Sequence, residues 1–136
     1  MASTLKIDNI IGVSTAGSIA VTGEGNSTTT NLQQGLLKSW VNLNTSGTAA
    51  TRDTFNVSGI TDNSTGNTTV SVTNNFANVN FAYSVASSYA GSHEGVHQEV
   101  HETGIATSSY GVGTFNTSNG AADSENVFSL VAGDLA

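Results

Sequence analysis

The chain has 136 residues, enough for one compact domain with an extension but hardly for two full cores. Its three Lys and Arg against ten Asp and Glu leave a formal net charge of −7, which argues against nucleic-acid binding, because that needs clustered cations to displace phosphate counterions. An anionic membrane surface is disfavoured for the same reason, and the lack of Cys excludes disulfides and thiolate chemistry.

Ser, Thr and Asn supply 52 residues, Gly another 15, and Pro none. Thr suits a pleated surface, whereas Ser and Asn bond their own backbone and weaken helices, so the composition predicts β-structure joined by polar turns. A small domain without disulfides must draw its stability from packing or from oligomerisation, and the modest aromatic content points to the latter.

The opening residues from Met1 to Lys6 lack the apolar core of a secretory signal, and no later run is long enough to span a bilayer. The expectation is a chain made in a cytoplasm, with no membrane insertion. Leu5, Ile7, Ile10 and Ile11 form a short apolar segment, and Ile19 and Val21 alternate with Ser18, Ala20 and Thr22 at strand period. Gly23 to Asn31 is polar and aperiodic, a loop or linker. Residues 1–34 are therefore read as a short β-rich arm and residues 35–136 as the main domain.

That domain opens with a strand from Leu36 to Asn44, on which Leu37, Val41 and Leu43 share one side. Further strands are expected at Phe55 to Ile60, Thr68 to Thr73, Phe81 to Ser87, Ile105 to Ser109, Thr114 to Thr117 and Val127 to Ala132. Short strands at this spacing predict an all-β fold, an antiparallel β-sandwich or jelly-roll-like domain. Trp40, Phe55, Val57, Ile60, Val70, Val72, Phe76, Phe81, Tyr83 and Val85 are the candidate core, and Arg52 joins Trp40, Phe55 and Phe81 as candidates for core or oligomer packing.

All three histidines fall between His93 and His101, and His93, Glu94 and His97 satisfy the H-E-x-x-H pattern of zinc metalloproteases. That chemistry needs a helix, on which residues four apart face the same way, and Gly91, Gly95 and Gly104 weaken one here. A second metal reading places His93, His97 and His101 on strands around a threefold axis, each sharing an ion with its symmetry mates. A third makes the segment a solvated acidic loop or hairpin. No cofactor is required by any other motif, and no nucleophile elbow or phosphate loop occurs, so the chain is read as a non-enzyme. Asp53 and Asp62 could be proposed as paired carboxylates for glycan cleavage, but Asp53 follows Arg52 and better suits a local or intersubunit ion pair. Tyr89 and Tyr110 flank the histidine segment and are the candidate contact surface for a partner.

The segments Trp40-Val41-Asn42-Leu43-Asn44, Arg52-Asp53-Thr54-Phe55-Asn56-Val57 and Ile60-Thr61-Asp62-Asn63, continued by Thr69 to Val72 and Asn78 to Phe81, occur in this order. Together they resemble a module of marine bacteriophage tail-fibre and virion appendage proteins over Lys38 to Phe81. The opening Ser3 to Ile10 is similar to the start of many such proteins. The resemblance implies a β-sandwich-like module in a virion, commonly a homotrimer, with host attachment as its role. Residues 1–34 would then serve particle attachment or oligomer packing, and the partners would be other virion proteins and a host surface glycan or protein. A head decoration protein is the alternative within the virion, and a small zinc-dependent hydrolase the alternative outside it.

Overall fold

The computed structural model describes residues 4–12, 19–23, 28–88, 97–116 and 118–136, with 97–103 described through their backbone pairing. It is largely antiparallel β-sheet with little helix, divided into two compact units, Met1–Leu36 and Leu37–Ala136.

In the first unit, β1 (Ala20–Thr22) pairs antiparallel with β2 (Thr29–Asn31). A single helical turn, α1 (Leu32–Gly35), follows, its N-terminus capped by Asn31 Oδ1 accepting from the Gln34 amide at 3.1 Å. Leu5, Ile7, Ile10 and Ile11 are exposed, and none of the described residues of this unit is buried. An isolated two-stranded hairpin is marginal in water, and the described residues of this unit supply no core to hold it.

The second unit contains β3 (Leu37–Asn44), β4 (Ala50–Phe55), β5 (Val57–Ser64), β6 (Asn67–Val72), β7 (Ala82–Ser88), β8 (His97–Ala106), β9 (Ser109–Phe115) and β10 (Asn126–Ala132). They form two four-stranded sheets. Sheet I has the order β4-β3-β10-β7 and sheet II the order β5-β6-β9-β8, with every described pairing antiparallel. Val41, Leu43, Val127 and Val131 from sheet I join Val70, Val72, Tyr110 and Val112 from sheet II, together with Phe76, in one buried cluster.

This core is mostly valine, and hydroxyl groups run through it, several of them bonded as buried polar groups generally are. Tyr110 Oη lies 2.8 Å from Ser129 Oγ, joining the two sheets, and the Thr114 hydroxyl donates to the Ala122 carbonyl at 2.6 Å. Thr45 Oγ1 accepts from the Ser124 amide at 2.8 Å and donates to the Ser124 carbonyl.

The two sheets are joined most directly at Asn56, the single residue between β4 and β5. Asn56 sits at φ 57, a left-handed conformation that Asn tolerates better than other non-Gly residues. Its side-chain amide donates to the Lys38 carbonyl at 2.8 Å and to the Asn74 carbonyl at 3.1 Å, while its Oδ1 accepts from the Asn74 amide at 2.7 Å. One side chain thereby ties the corner to β3 and to the segment that follows β6. The expected continuous strand from Phe55 to Ile60 is in this way broken into two strands on different sheets.

A further difference from the expected strands has a local cause, and one expected turn is present. Ile105 to Ser109 is not a strand of its own, because the chain turns at Thr107 and Ser108, ending β8 and beginning β9. The polar cluster around Thr65 and Gly66 is the turn of the β5–β6 hairpin; Gly66 has φ 69, and a Cβ there would lie 2.8 Å from the Ala122 amide nitrogen.

Replacing Asn56 by Ala removes several hydrogen bonds and leaves a β-carbon in the left-handed region, so urea denaturation is expected to register a loss of about 2–4 kcal/mol. Asn56→Gly keeps the backbone conformation and is expected to lose less. Equal losses in the two variants would show that the conformation is not part of the constraint.

Candidate assembly surface

Along β10, Val127, Ser129 and Val131 are buried while Phe128 and Leu130 are exposed. The strict alternation follows from strand geometry: one set faces the core and the other the outside of sheet I. Register extends that outer set sideways. Trp40 pairs with Leu130 on one side and with Phe55 on the other; Phe128 pairs with Ala86, and Leu130 with Ser84.

Leu37 reaches the same face through a β-bulge. Ser39 pairs with Val131 but Leu37 with Ala132, so Lys38 is the extra residue, and the bulge reverses the side on which Leu37 lies. Lys38 is buried in consequence, and burial lowers its pKa below the ordinary lysine value of 10.5, against the opposing attraction of Asp134. The expectation that Leu37 shares a side with Val41 and Leu43 is corrected accordingly.

The outer face of sheet I thus carries Leu37, Trp40, Phe55, Phe128 and Leu130, with Phe55, Leu130 and Leu37 at 50%, 49% and 46% exposure. Beside them the edge strand β7 presents only small side chains, Ala82, Ser84, Ala86 and Ser88. At one end, Arg52 Nη1 crosses β3 to donate to Asn126 Oδ1 at 2.7 Å, and Asp53 Oδ1 accepts from the Thr54 amide. Scattered exposed apolar residues are ordinary on proteins, whereas a contiguous group of large ones makes this face the candidate surface.

Four packing candidates therefore divide between two places. Trp40, Arg52 and Phe55 lie on the outer face, so Trp40 and Phe55 are not in the core as expected. Phe81 instead packs against the core, its ring centroid 4.3 Å from Phe76 and 5.9 Å from Tyr83.

Of the two tyrosines expected at a contact surface, Tyr89 lies outside the described residues. Tyr110 is fully buried, which corrects its assignment: it faces Val70 across the β6–β9 pairing and its ring centroid is 5.4 Å from that of Tyr83. Among the histidines, His93 lies outside the described residues, while His97 and His101 belong to β8, paired in register with Phe115 and Gly111. Strand rise separates positions four apart by about 13 Å, too far for one ion to bridge both within a chain. Asp53 and Asp62 stand on different sheets, β4 and β5.

No family model, curated protein or solved structure matches this chain. The functional reading therefore rests on the residues themselves.

The buried phenols give the core a pH dependence. Burial raises the pKa of Tyr110 above 10.0 despite its hydrogen bonds to Ser129 and Ser39, and burial, then the neighbouring Tyr110, raises that of Tyr83. Above the ordinary tyrosine pKa the unfolded chain loses these protons first, so stability declines with rising pH through the folded-state values. Lys38 acts in the opposite sense, since its unfolded form holds the proton longer, and this contribution rises as the pH approaches 10.5. Urea midpoints measured from about pH 8 to about pH 11.5 are expected to fall above about pH 10, and less steeply in Tyr110→Phe. An identical decline in that variant would remove Tyr110 as the source.

Proposed function

We propose that the chain is a structural, non-enzymatic subunit of a bacteriophage particle, a tail-fibre or appendage protein acting in assembly and host attachment. On this reading Leu37–Ala136 is a two-layer β-sandwich, and the residues before it attach the domain to the particle or pack against other subunits. The observation that carries the reading is the outer face of sheet I, where the only Trp and two of the five Phe are held on a rigid surface instead of in the core.

Residues of the fibre-like module support it, because several have a framework task. Val41 and Leu43 enter the core, Asn44 Oδ1 accepts from the Ser46 amide to turn the chain after β3, and Asn56 makes the corner between the sheets. A sequence pattern spent on strand ends and corners belongs to an architectural part. The homotrimer implied by the resemblance gives the exposed face its partner, and a host glycan or protein is the partner of the projecting end.

Gold-labelled antibody on purified particles, combined with quantitative mass spectrometry, tests the assignment. The expected result is label at the tail and a copy number of a few trimers per particle. Label spread over the head at hundreds of copies would replace the appendage by a decoration protein, and absence from particles would sink the proposal.

A further inference from the structure

We infer that Asn119, in the loop between β9 and β10, is a self-modifying site that converts to aspartate and isoaspartate through attack by the Gly120 amide nitrogen, and that the Asn116 side chain guards it. Asn119-Gly120 is the only Asn-Gly pair in the chain, and every other Asn precedes a residue whose β-carbon crowds the attacking nitrogen. Asn119 is exposed and sits at φ 60. Asn56 shares that conformation, but the β-branched Val57 follows it. In the reaction, Gly120 N bonds to Asn119 Cγ, the Cγ–Nδ2 bond breaks, and Nδ2 leaves as ammonia with the proton that Gly120 gives up. Water then opens the cyclic imide. Opening at Cγ gives aspartate, whereas opening at the main-chain carbonyl gives isoaspartate, whose backbone runs through Cβ and Cγ and is longer by a methylene. Water is the only co-reactant, and asparagine is among the residues that fail this way on ageing.

The attacking nitrogen must first give up its hydrogen, and the fold keeps that hydrogen in place. Asn116 Oδ1 accepts from the Gly120 amide at 2.9 Å and from the Ser118 amide at 3.0 Å. Backbone bonds close the same turn: the Asn116 amide donates to the Gly120 carbonyl at 2.8 Å, and the Asn119 amide donates to the Asn116 carbonyl at 3.0 Å. The Asn116 side chain lies directly against Gly120, where an added Cβ would come within 3.0 Å of Asn116 Nδ2. A bond that stabilises the N–H form opposes the deprotonated nucleophile, and it also holds the Gly120 peptide plane against rotation toward Cγ.

Conversion reaches beyond the loop. Phe115 and Ala121 form a bridge across its base, the Ala122 amide donates to the Thr114 carbonyl at 3.0 Å, and Asp123 Oδ1 accepts from the Gly66 amide at 2.7 Å. An extra methylene at Asn119 lengthens the chain between the two sides of that bridge and disturbs the seating of Asp123 on the β5–β6 turn. Either product also adds a negative charge to a chain already at −7. The site holds whichever partners the chain has, since it depends on this loop alone.

The full chain is incubated at neutral pH as wild type, Asn116→Ala and Asn116→Asp, with wild type in urea as the unfolded reference, and conversion is followed by peptide mapping with mass spectrometry. Asn116→Asp keeps an oxygen that accepts from both amides, and far-ultraviolet circular dichroism checks that the variants fold. Conversion at Asn119 is expected to be about tenfold faster in Asn116→Ala than in folded wild type, the factor that a hydrogen bond of ordinary strength represents, and as slow as wild type in Asn116→Asp. Asn63, which precedes Ser64, is the internal reference. Equal rates in Asn116→Ala and wild type, a fast Asn116→Asp, or acceleration shared by Asn63 would overturn the guard. The ratio of the urea rate to the folded rate in wild type reads the same protection without a substitution, and a ratio near unity would overturn it as well. No conversion at Asn119 even in urea would overturn the site itself.

Discussion

Everything in the main domain depends on how the chain leaves one sheet and enters the other at Asn56. A single residue makes the passage between β4 and β5, and it does so in a left-handed conformation stabilised by bonds to Lys38 and Asn74. The consequence is geometric. In a straight strand Phe55 and Val57 would lie on one face, two residues apart. With the corner between them, Phe55 is exposed on the outside of sheet I while Val57 packs against the core. The same bond to the Lys38 carbonyl holds the neighbourhood of the β3 bulge, which sends Leu37 outward and Lys38 inward. Two local irregularities thus determine which side of the sheet receives the largest apolar groups.

This also explains what could and could not be read beforehand. A strand with alternating Val, Thr and Ser, such as Asn67–Val72, announces itself because its period is unbroken from end to end. The turn at Thr65–Gly66 is equally legible from its composition. The faces of β3, β4 and β5 are less legible: period counting carries parity straight through a bulge or a corner, which sets Leu37 on the side of Val41 and Phe55 on the side of Val57, while Trp40 is assigned to the core by its apolar bulk against the period. A φ near +60° at Asn56 leaves only a faint trace in sequence, an Asn flanked by apolar residues, in a chain rich in Asn of which, among the described residues, only Asn119 shares that conformation. Tyr110 was misread for a related reason: its neighbours Ser109, Gly111 and Gly113 look like a loop, but small residues are what the middle of sheet II accommodates beside β8.

The same structure narrows what the histidine segment can do. Residues His97 and His101 lie on a strand, where a spacing of four spreads ligands along the sheet instead of gathering them. The pattern that suggests a zinc protease is a statement about helices, and it loses its chemical content when its second histidine begins a strand. The candidate surface has instead the character of a packing face, built from side chains that titrate nowhere near neutral pH.

The division of apolar residues links stability to assembly. The buried cluster draws mainly on valine and leaves Trp40, Phe55, Phe128 and Leu130 outside, so these four side chains contribute little to holding the monomer together. Each such group that leaves water on association stabilises the folded form by roughly 1.5–3 kcal/mol if fully buried, comparable in sum to the whole stability of a small domain. On the assembly reading proposed above, folding and association become one thermodynamic process, in which concentration raises stability by mass action. The hydroxyl network at Tyr110, Ser129 and Ser39 has the complementary part: directional bonds fix how the two sheets sit together before any partner arrives, so the outer face is presented in one geometry. On that assembly reading, an interior joined by directional bonds and an exterior carrying bulky apolar groups are the arrangement that a subunit completed by its neighbours requires.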